Sequence, residues 1–405
     1  MYTRQLGLMN IIVKLILFIS LHLLIVPSYF IANAAQQQNQ IDEKIPYVGV
    51  NVRGYYTSLQ NLRYSTPFSE HYYNDSFKLI SNGGMNHIRY VFYWEAYEKN
   101  PSLFMKELKK VARLADKWGL KVIYDSHQFH TSSWLDPSNG TGFPKELFQH
   151  ELGTYGLGGT TVDYPAKIWW TEWWNRNVSD TDGRDGWNLY ANFLKKVTNA
   201  VDKHESTLGY EILNEPQIHS PDQWNKIGKF NSFITNALRK ITDKTIVYSM
   251  NVPISFKNTA INLTPENLAK MAPNNKDNVV FKISVYGIPN PNTYQGDKLA
   301  ILTDASKIIS VPMYVGEWNE VSREEKINEN GNMMFHIDPV KSDLNQLKAD
   351  TLVNDFKKLR VWGMAFWNWN YVPHPAPNFN IIKVTQNGEI QTTKYFKIIE
   401  KAIAS

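Results

Sequence analysis

Leu208-Gly209-Tyr210-Glu211-Ile212-Leu213-Asn214-Glu215-Pro216 is an apolar run of strand length that ends on a carboxylate with turn residues beside it. A second run of the same design lies further along: Val311-Pro312-Met313-Tyr314-Val315-Gly316-Glu317-Trp318-Asn319. Parallel strands of one barrel deliver their C-terminal ends to one rim, and such barrels keep their active sites there. If both runs are strands of that kind, Glu215 and Glu317 meet.

Working outward, six more apolar runs rich in Val, Ile and Tyr have strand length, at 47–52, 85–91, 121–125, 245–249, 279–285 and 363–367. With the runs at 208–213 and 313–316 they make eight. Amphipathic stretches lie between them. One, at 101–118, carries Leu103, Leu108, Val111, Leu114 and Ala115 at helical spacing, with Gly119 placed as a C-cap. The stretches 342–359 and 392–404 read the same way. Strand and helix alternating along a chain predict right-handed crossovers and a parallel sheet. Eight repeats predict an α/β fold, a closed (β/α)8 TIM barrel forming a single catalytic domain over 45–405. An open doubly wound sheet is the runner-up, but no Gly-rich phosphate loop follows the first strand.

The connection from 126 to 185 is too long for a simple loop and shows neither a clear strand nor a long helix. It predicts a long Trp-rich insertion after strand 3, forming a wall or partial lid over the cleft. Within it lies Ile168-Trp169-Trp170-Thr171-Glu172-Trp173-Trp174. On a helix, the 169/173 and 170/174 pairs stack along one side. Three roles fit this run: sugar-stacking subsites, an anchor tying the insertion to the barrel, or contact with a lipid.

Bulk properties exclude several classes. Hydrophobic residues make up 43% of the chain, enough for a sizeable core and too many for disorder. The net charge of +5 is spread along the sequence, which argues against a nucleic-acid partner. With no cysteine, a thiol nucleophile, a thiolate metal site and an iron–sulfur cluster are all excluded. No ligand spacing such as H-E-x-x-H occurs, so no metal and no cofactor are expected. At the N-terminus, Arg4 and Lys14 precede the apolar run from Leu15 to Val26; Pro27 breaks it, and Ala32-Asn33-Ala34 follows. That order predicts a secretory signal peptide over 1–34, with an uncleaved anchor and membrane association as the alternative. A Gln-rich linker at 35–44 would lead to the barrel. The expectation is a secreted or extracytoplasmic monomer.

Two facing carboxylates are the minimal equipment for cleaving a glycosidic bond: one protonates the leaving oxygen, the other attacks or activates water. Other predicted strands end in polar and aromatic residues: Arg89 with Tyr93 and Trp94 beyond it, Asp125 and His127, Tyr286, and Trp367 with Asn368. In a barrel all of these converge. Arg89 would keep a nucleophilic glutamate ionised, and Tyr286 could donate to the same carboxylate. Trp367 offers a flat face to a pyranose, and Asn214 would face the sugar 2-hydroxyl. His127 and Trp94 complete the expected substrate-facing set, and Glu211 reads as structural.

Together these residues resemble glycoside hydrolase family 5, a cellulase-like family of the retaining-glycosidase clan of (β/α)8 barrels. The resemblance runs from about Tyr47 to the C-terminus and is carried most specifically by Asn214-Glu215-Pro216 and Glu317. It implies Glu215 as acid/base and Glu317 as nucleophile. One departure stands out: many members have a His two residues before the tyrosine, where this chain has Ser284. The leading expectation is an endo-acting hydrolase of a β-linked polysaccharide, a glucan or mannan, working by double displacement. The alternatives are a hydrolase of glycolipid or cell-envelope glycan, endoglycoceramidase-like, and, last, a non-catalytic sugar-binding barrel.

Overall fold

Eight parallel strands close into a barrel in the computed structural model. It describes residues 44–59, 68, 71–137, 140–148, 163–249, 261–287, 294–320, 323–327, 333–337, 342–370, 380–385 and 388–405. The expected signal peptide, and all of the expected linker but Lys44, lie outside these residues.

The barrel strands are β1 (Tyr47–Arg53), β2 (His87–Phe92), β3 (Lys121–Ser126), β4 (Thr207–Glu211), β5 (Thr245–Ser249), β6 (Val279–Tyr286), β7 (Met313–Asn319) and, after a β8–β9 hairpin (Arg323–Ile327 with Met333–Ile337), β10 (Gly363–Phe366). Each pairs with its neighbour in sequence order, and β10 closes on β1. The open doubly wound sheet is thereby ruled out. Helices α1 (Tyr72–Asn82), α2 (Trp94–Lys99), α3 (Pro101–Trp118), α4 (Asp163–Asn175), α5 (Gly186–Val201), α6 (Gln223–Leu238), α7 (Pro265–Ala269), α8 (Tyr294–Ile309) and α9 (Gln346–Lys358) lie between strands, and α10 (Lys394–Ala404) ends the chain.

The helix α3 has the bounds read from the sequence. Asn100 accepts from the Leu103 amide, Pro101 opens the first turn, and Gly119 ends it in the left-handed conformation. The last helix starts two residues later than expected. Ile390–Thr392 pairs instead with Ile382–Val384, and Thr393 caps the helix.

Side chains alternate along each strand, and the two faces differ. Outward residues such as Val122, Tyr124, Ile246, Tyr248, Phe281 and Ile283 join the large core between sheet and helices. Inward, Ile123, Val247, Val280, Tyr314 and Ala365 form a small apolar layer at the barrel floor. One step toward the C-terminal rim the inward positions become Asp125, Ser249 and Lys282, alongside Asn51, Arg89 and Glu211. An ionic layer thus rests on an apolar one.

The insertion after β3, expected to hold no long helix, contains the 13-residue α4. Ala166, Trp169, Trp170, Trp173 and Trp174 are all buried and fall at i, i+3, i+4, i+7 and i+8, one stripe of the helix, while Lys167 and Asn175 are exposed. The 169/173 and 170/174 rings stack as expected, at centroid separations of 5.2 and 5.3 Å. Their faces are spent on Phe143, Tyr190 and Phe230. This settles the three roles in favour of the anchor. Trp170→Ala and Trp173→Ala are each expected to destabilise the fold by about 3–5 kcal/mol in urea unfolding. Activity of the folded fraction should fall equally on short and long substrates. A selective rise in KM on long substrates would restore the subsite reading.

Candidate active site

Arg89 is the hub of the rim. Fully buried on β2, its guanidinium donates from Nε to Glu211 Oε2 (2.7 Å) and from Nη2 to Glu211 Oε1 (2.9 Å). The same Nη2 reaches Asn214 Oδ1 (2.8 Å) and Asp125 Oδ2 (3.0 Å). Nη1 donates to Asn51 Oδ1 (2.8 Å) and Glu317 Oε1 (3.0 Å). Asn51, absent from the sequence-derived set, returns its amide to the Gly316 carbonyl (2.9 Å) and so ties β1 to β7.

Glu317 does not stand after its strand, as expected, but inside it. Strict alternation from Tyr314, which faces inward, would turn Glu317 outward. The register shows why it does not. Ile283 pairs with Val315 and Ser284 with Glu317, leaving Gly316 as an extra residue, a β-bulge. A bulge reverses the phase of the strand beyond it and re-aims a side chain. Glu317 therefore points into the barrel and Trp318 into the core.

Three groups hold the Glu317 carboxylate. Arg89 and Lys282 Nζ (2.9 Å) both contact Oε1, and the Tyr286 hydroxyl donates to Oε2 (2.5 Å). Burial alone would push this carboxyl up, but Lys282, Arg89 and the tyrosine hydrogen bond outweigh it and hold it well below the ordinary range. Burial and the neighbouring carboxylate raise the Tyr286 phenol, so it stays a donor. Beneath them, burial pushes the Asp125 carboxyl up to about 7 despite Arg89. Glu211 is raised for the same reason.

Glu215 lies beyond β4 on a turn that leaves the ladder after Glu211. Its φ of 42° is left-handed, a conformation costing roughly 1–3 kcal/mol unless its surroundings impose it. Here the Glu215 amide donates to Ser249 Oγ (2.8 Å), and Gln128 Nε2 clamps the carbonyls of Asn214 (3.0 Å) and Glu215 (2.7 Å). The Ser284 hydroxyl donates to Glu215 Oε1, so the serine noted as a departure contacts this carboxyl directly. Burial lowers His127 well below its ordinary value, which leaves a neutral ring. Its Nδ1–H donates to Asp125 Oδ2 (2.7 Å), and Nε2 accepts from the Asn214 amide (3.3 Å).

Lys282 Nζ is 2.9 Å from Glu317 Oε1 and 3.6 Å from Glu215 Oε1. The two carboxyls therefore approach within the sum of those distances, about 6.5 Å at most, the lower edge of an inverting pair's separation.

Of the sequence-derived residues, Arg89, Asn214, Glu215, Tyr286 and Glu317 form this network, joined by His127. Trp367 stacks on the His127 ring (5.5 Å, 18°) and carries Arg53 at 4.8 Å. Its peptide bond to Asn368 is cis. Trp94 is not brought to the cluster. It is buried, stacks on Phe193 (5.6 Å) and donates to Glu98. Besides Asn51, sequence reading missed Lys282. The signal was present, since Lys282, Ser284 and Tyr286 share the inward face of a strand whose other face is Phe281, Ile283 and Val285.

Comparison with known proteins agrees with the barrel fold. Over 192 residues the chain is 30% identical to a glucosylceramidase of Aspergillus fumigatus, covering 37% of this chain and 25% of the relative. Over 170 residues it is 27% identical to an endoglycoceramidase of Hydra vulgaris, covering 35% and 32%. It thus spans about a quarter to a third of the length of these curated relatives. The crystal structure of endogalactoceramidase superposes with a TM-score of 0.65 at 17% identity, covering 88% of this chain and 80% of that one. The profile of Cellulase (glycosyl hydrolase family 5) matches residues 44–371, a span that holds all eight barrel strands, Arg89 and both rim glutamates, and the chain belongs to that family.

Proposed function

We propose that the protein is a retaining β-glycosidase in which Glu317 attacks the anomeric carbon and Glu215 serves as acid and then base. The observation that carries this is the pair itself: one carboxylate held ionised by two cations, a second within about 6.5 Å on the same rim.

For the substrate we propose a β-linked glycolipid of the glycosylceramide kind, reversing the order expected from sequence. Phe129 follows His127 by two residues and is 42% exposed, and Trp134 on the same loop is 36% exposed. They are the exposed large apolar side chains of this rim among the described residues. On the loop after β3, which such a barrel sends to its catalytic rim, they suit an apolar aglycone. The names of the two sequence relatives support this reading. The match to the cellulase profile supports the second reading, a β-linked polysaccharide.

Glucosylceramide and lactosylceramide in detergent micelles, set against cellohexaose and mannohexaose, separate the two. Sugar release from a ceramide at the higher kcat/KM is the expected result. Phe129→Ser and Trp134→Ser should each raise KM for the lipid about tenfold, while leaving 4-nitrophenyl β-lactoside little changed. Cleavage of a hexaose alone would establish the polysaccharide reading, and no release from any of the four would defeat both.

A further inference from the structure

We propose that Lys282 is a positioning residue shared by both candidate catalytic carboxylates, pairing with Glu317 before the glycosyl-enzyme forms and with Glu215 afterwards. This rests on the retaining mechanism proposed above.

The side chain is 1% exposed and projects inward from β6, between Val280 below and Ser284 above. Its nitrogen lies 2.7 Å from Asn214 Oδ1, 2.8 Å from Ser284 Oγ and 2.9 Å from Glu317 Oε1. An ammonium has three N–H groups, so each has an acceptor. Glu215 Oε1 is 3.6 Å away and is also reached through Ser284, which accepts from Lys282 and donates to Glu215. The neighbouring strand β7 leaves room for the lysine. A Cβ on Gly316 would come within 2.6 Å of Lys282 Cγ and 2.8 Å of Cε. The glycine that creates the bulge and aims Glu317 also clears the path of the lysine stem.

The reaction moves one negative charge across this nitrogen. In the first half, Glu317 Oε2 bonds to the anomeric carbon, the bond to the leaving oxygen breaks, and Glu215 gives that oxygen its proton. Glu317 is now a neutral ester and Glu215 an anion. In the second half, water bonds to the anomeric carbon and gives its proton to Glu215, and the ester bond breaks to regenerate the Glu317 carboxylate. Lys282 keeps an anionic partner throughout, first at 2.9 Å and then at 3.6 Å. Other charged and titratable groups surround it: Arg89 on β2, Asp125 and His127 on and after β3, Glu211 on β4, and Tyr286 on its own strand. Arg89 contacts Glu317, Glu211 and Asp125 directly but has no such contact with Glu215, so the second role falls to Lys282.

The test compares wild type, Lys282→Met and Ser284→Ala on 4-nitrophenyl and 2,4-dinitrophenyl β-lactosides. In Lys282→Met the acid limb of kcat/KM should move up by about one pH unit or more, because Glu317 loses a cation. The dinitrophenyl substrate, which needs no acid to leave, should give a burst of about one equivalent of dinitrophenol as the second half-reaction becomes limiting. Ser284→Ala should give the burst without the shift. The chain has no cysteine of its own. Lys282→Cys can therefore be alkylated with 2-bromoethylamine in denaturant and refolded, which restores an ammonium at that one position and should restore wild-type behaviour. Active wild type with neither shift nor burst in Lys282→Met, only a lower unfolding midpoint, would make Lys282 a structural charge and overturn the proposal. Wild type inactive on both lactosides and on the ceramides would instead take down the glycosidase reading, and this inference with it.

Discussion

Glu317→Gln is expected to lower kcat by about four orders of magnitude or more while the protein stays folded. The amide keeps the shape and still offers an oxygen to Lys282 and Arg89, but it has no charge with which to attack. The companion variant separates the two roles. Glu215→Ala should lose about 10²–10⁴-fold on substrates whose leaving group needs a proton. It should lose little of the first step on a dinitrophenyl glycoside. Added azide should then release a β-glycosyl azide, because a small anion can replace water where no base remains. Equal losses on both leaving groups would remove Glu215 as the acid, and an α-configured azide would remove the double displacement. A Glu317→Gln enzyme retaining a hundredth of its activity would reassign the nucleophile.

Arg89→Met is expected to cost about 3–5 kcal/mol of stability, because it leaves buried carboxylates without their partner. Asp125 and Glu211 are fully buried, and both are already raised by burial with Arg89 in place. The sign follows from linkage. A carboxyl whose folded value lies above its unfolded one contributes stability that is fully present below the unfolded value and is lost as pH rises through the folded one. For Asp125 that window runs from the ordinary value of 3.8 to about 7. Without the guanidinium the window extends upward, so the deficit of the variant should be larger at pH 8 than at pH 5 in urea unfolding. A deficit independent of pH would show that packing, not charge, is lost. Arg89→Lys should recover little, since a lysine cannot reproduce the two parallel bonds to Glu211 together with those to Asn51, Asn214 and Glu317.

The aromatic residues show how far local pattern reaches. Four tryptophans in six residues read equally well as subsite, lid or anchor, and only their packing against Phe143, Tyr190 and Phe230 decides for the anchor. Trp94 read as substrate-facing because it follows a strand end. It opens the helix α2, which carries it onto Phe193 instead. Phe129 drew no attention in sequence, yet its exposure makes it the better candidate for substrate contact.

Eight strands, their order around the barrel and the rim on which Glu215 and Arg89 lie were legible in the residues alone. Side-chain direction along a strand, capping at a helix end and the turn at Asn214-Glu215-Pro216 depend on neighbours in sequence, so local pattern determines them. The inward aim of Glu317 was not legible, because it depends on the bulge at Gly316, and a bulge is defined only by the register of two strands. The same holds for Lys282. Its place on the inward face follows from alternation, but its contacts with residues on β4 and β7 follow from barrel closure. Sequence thus determined which charges face inward on the regular strands, but not at the bulge. The packing of the whole barrel, which sets register and distance together, decided which of them meet.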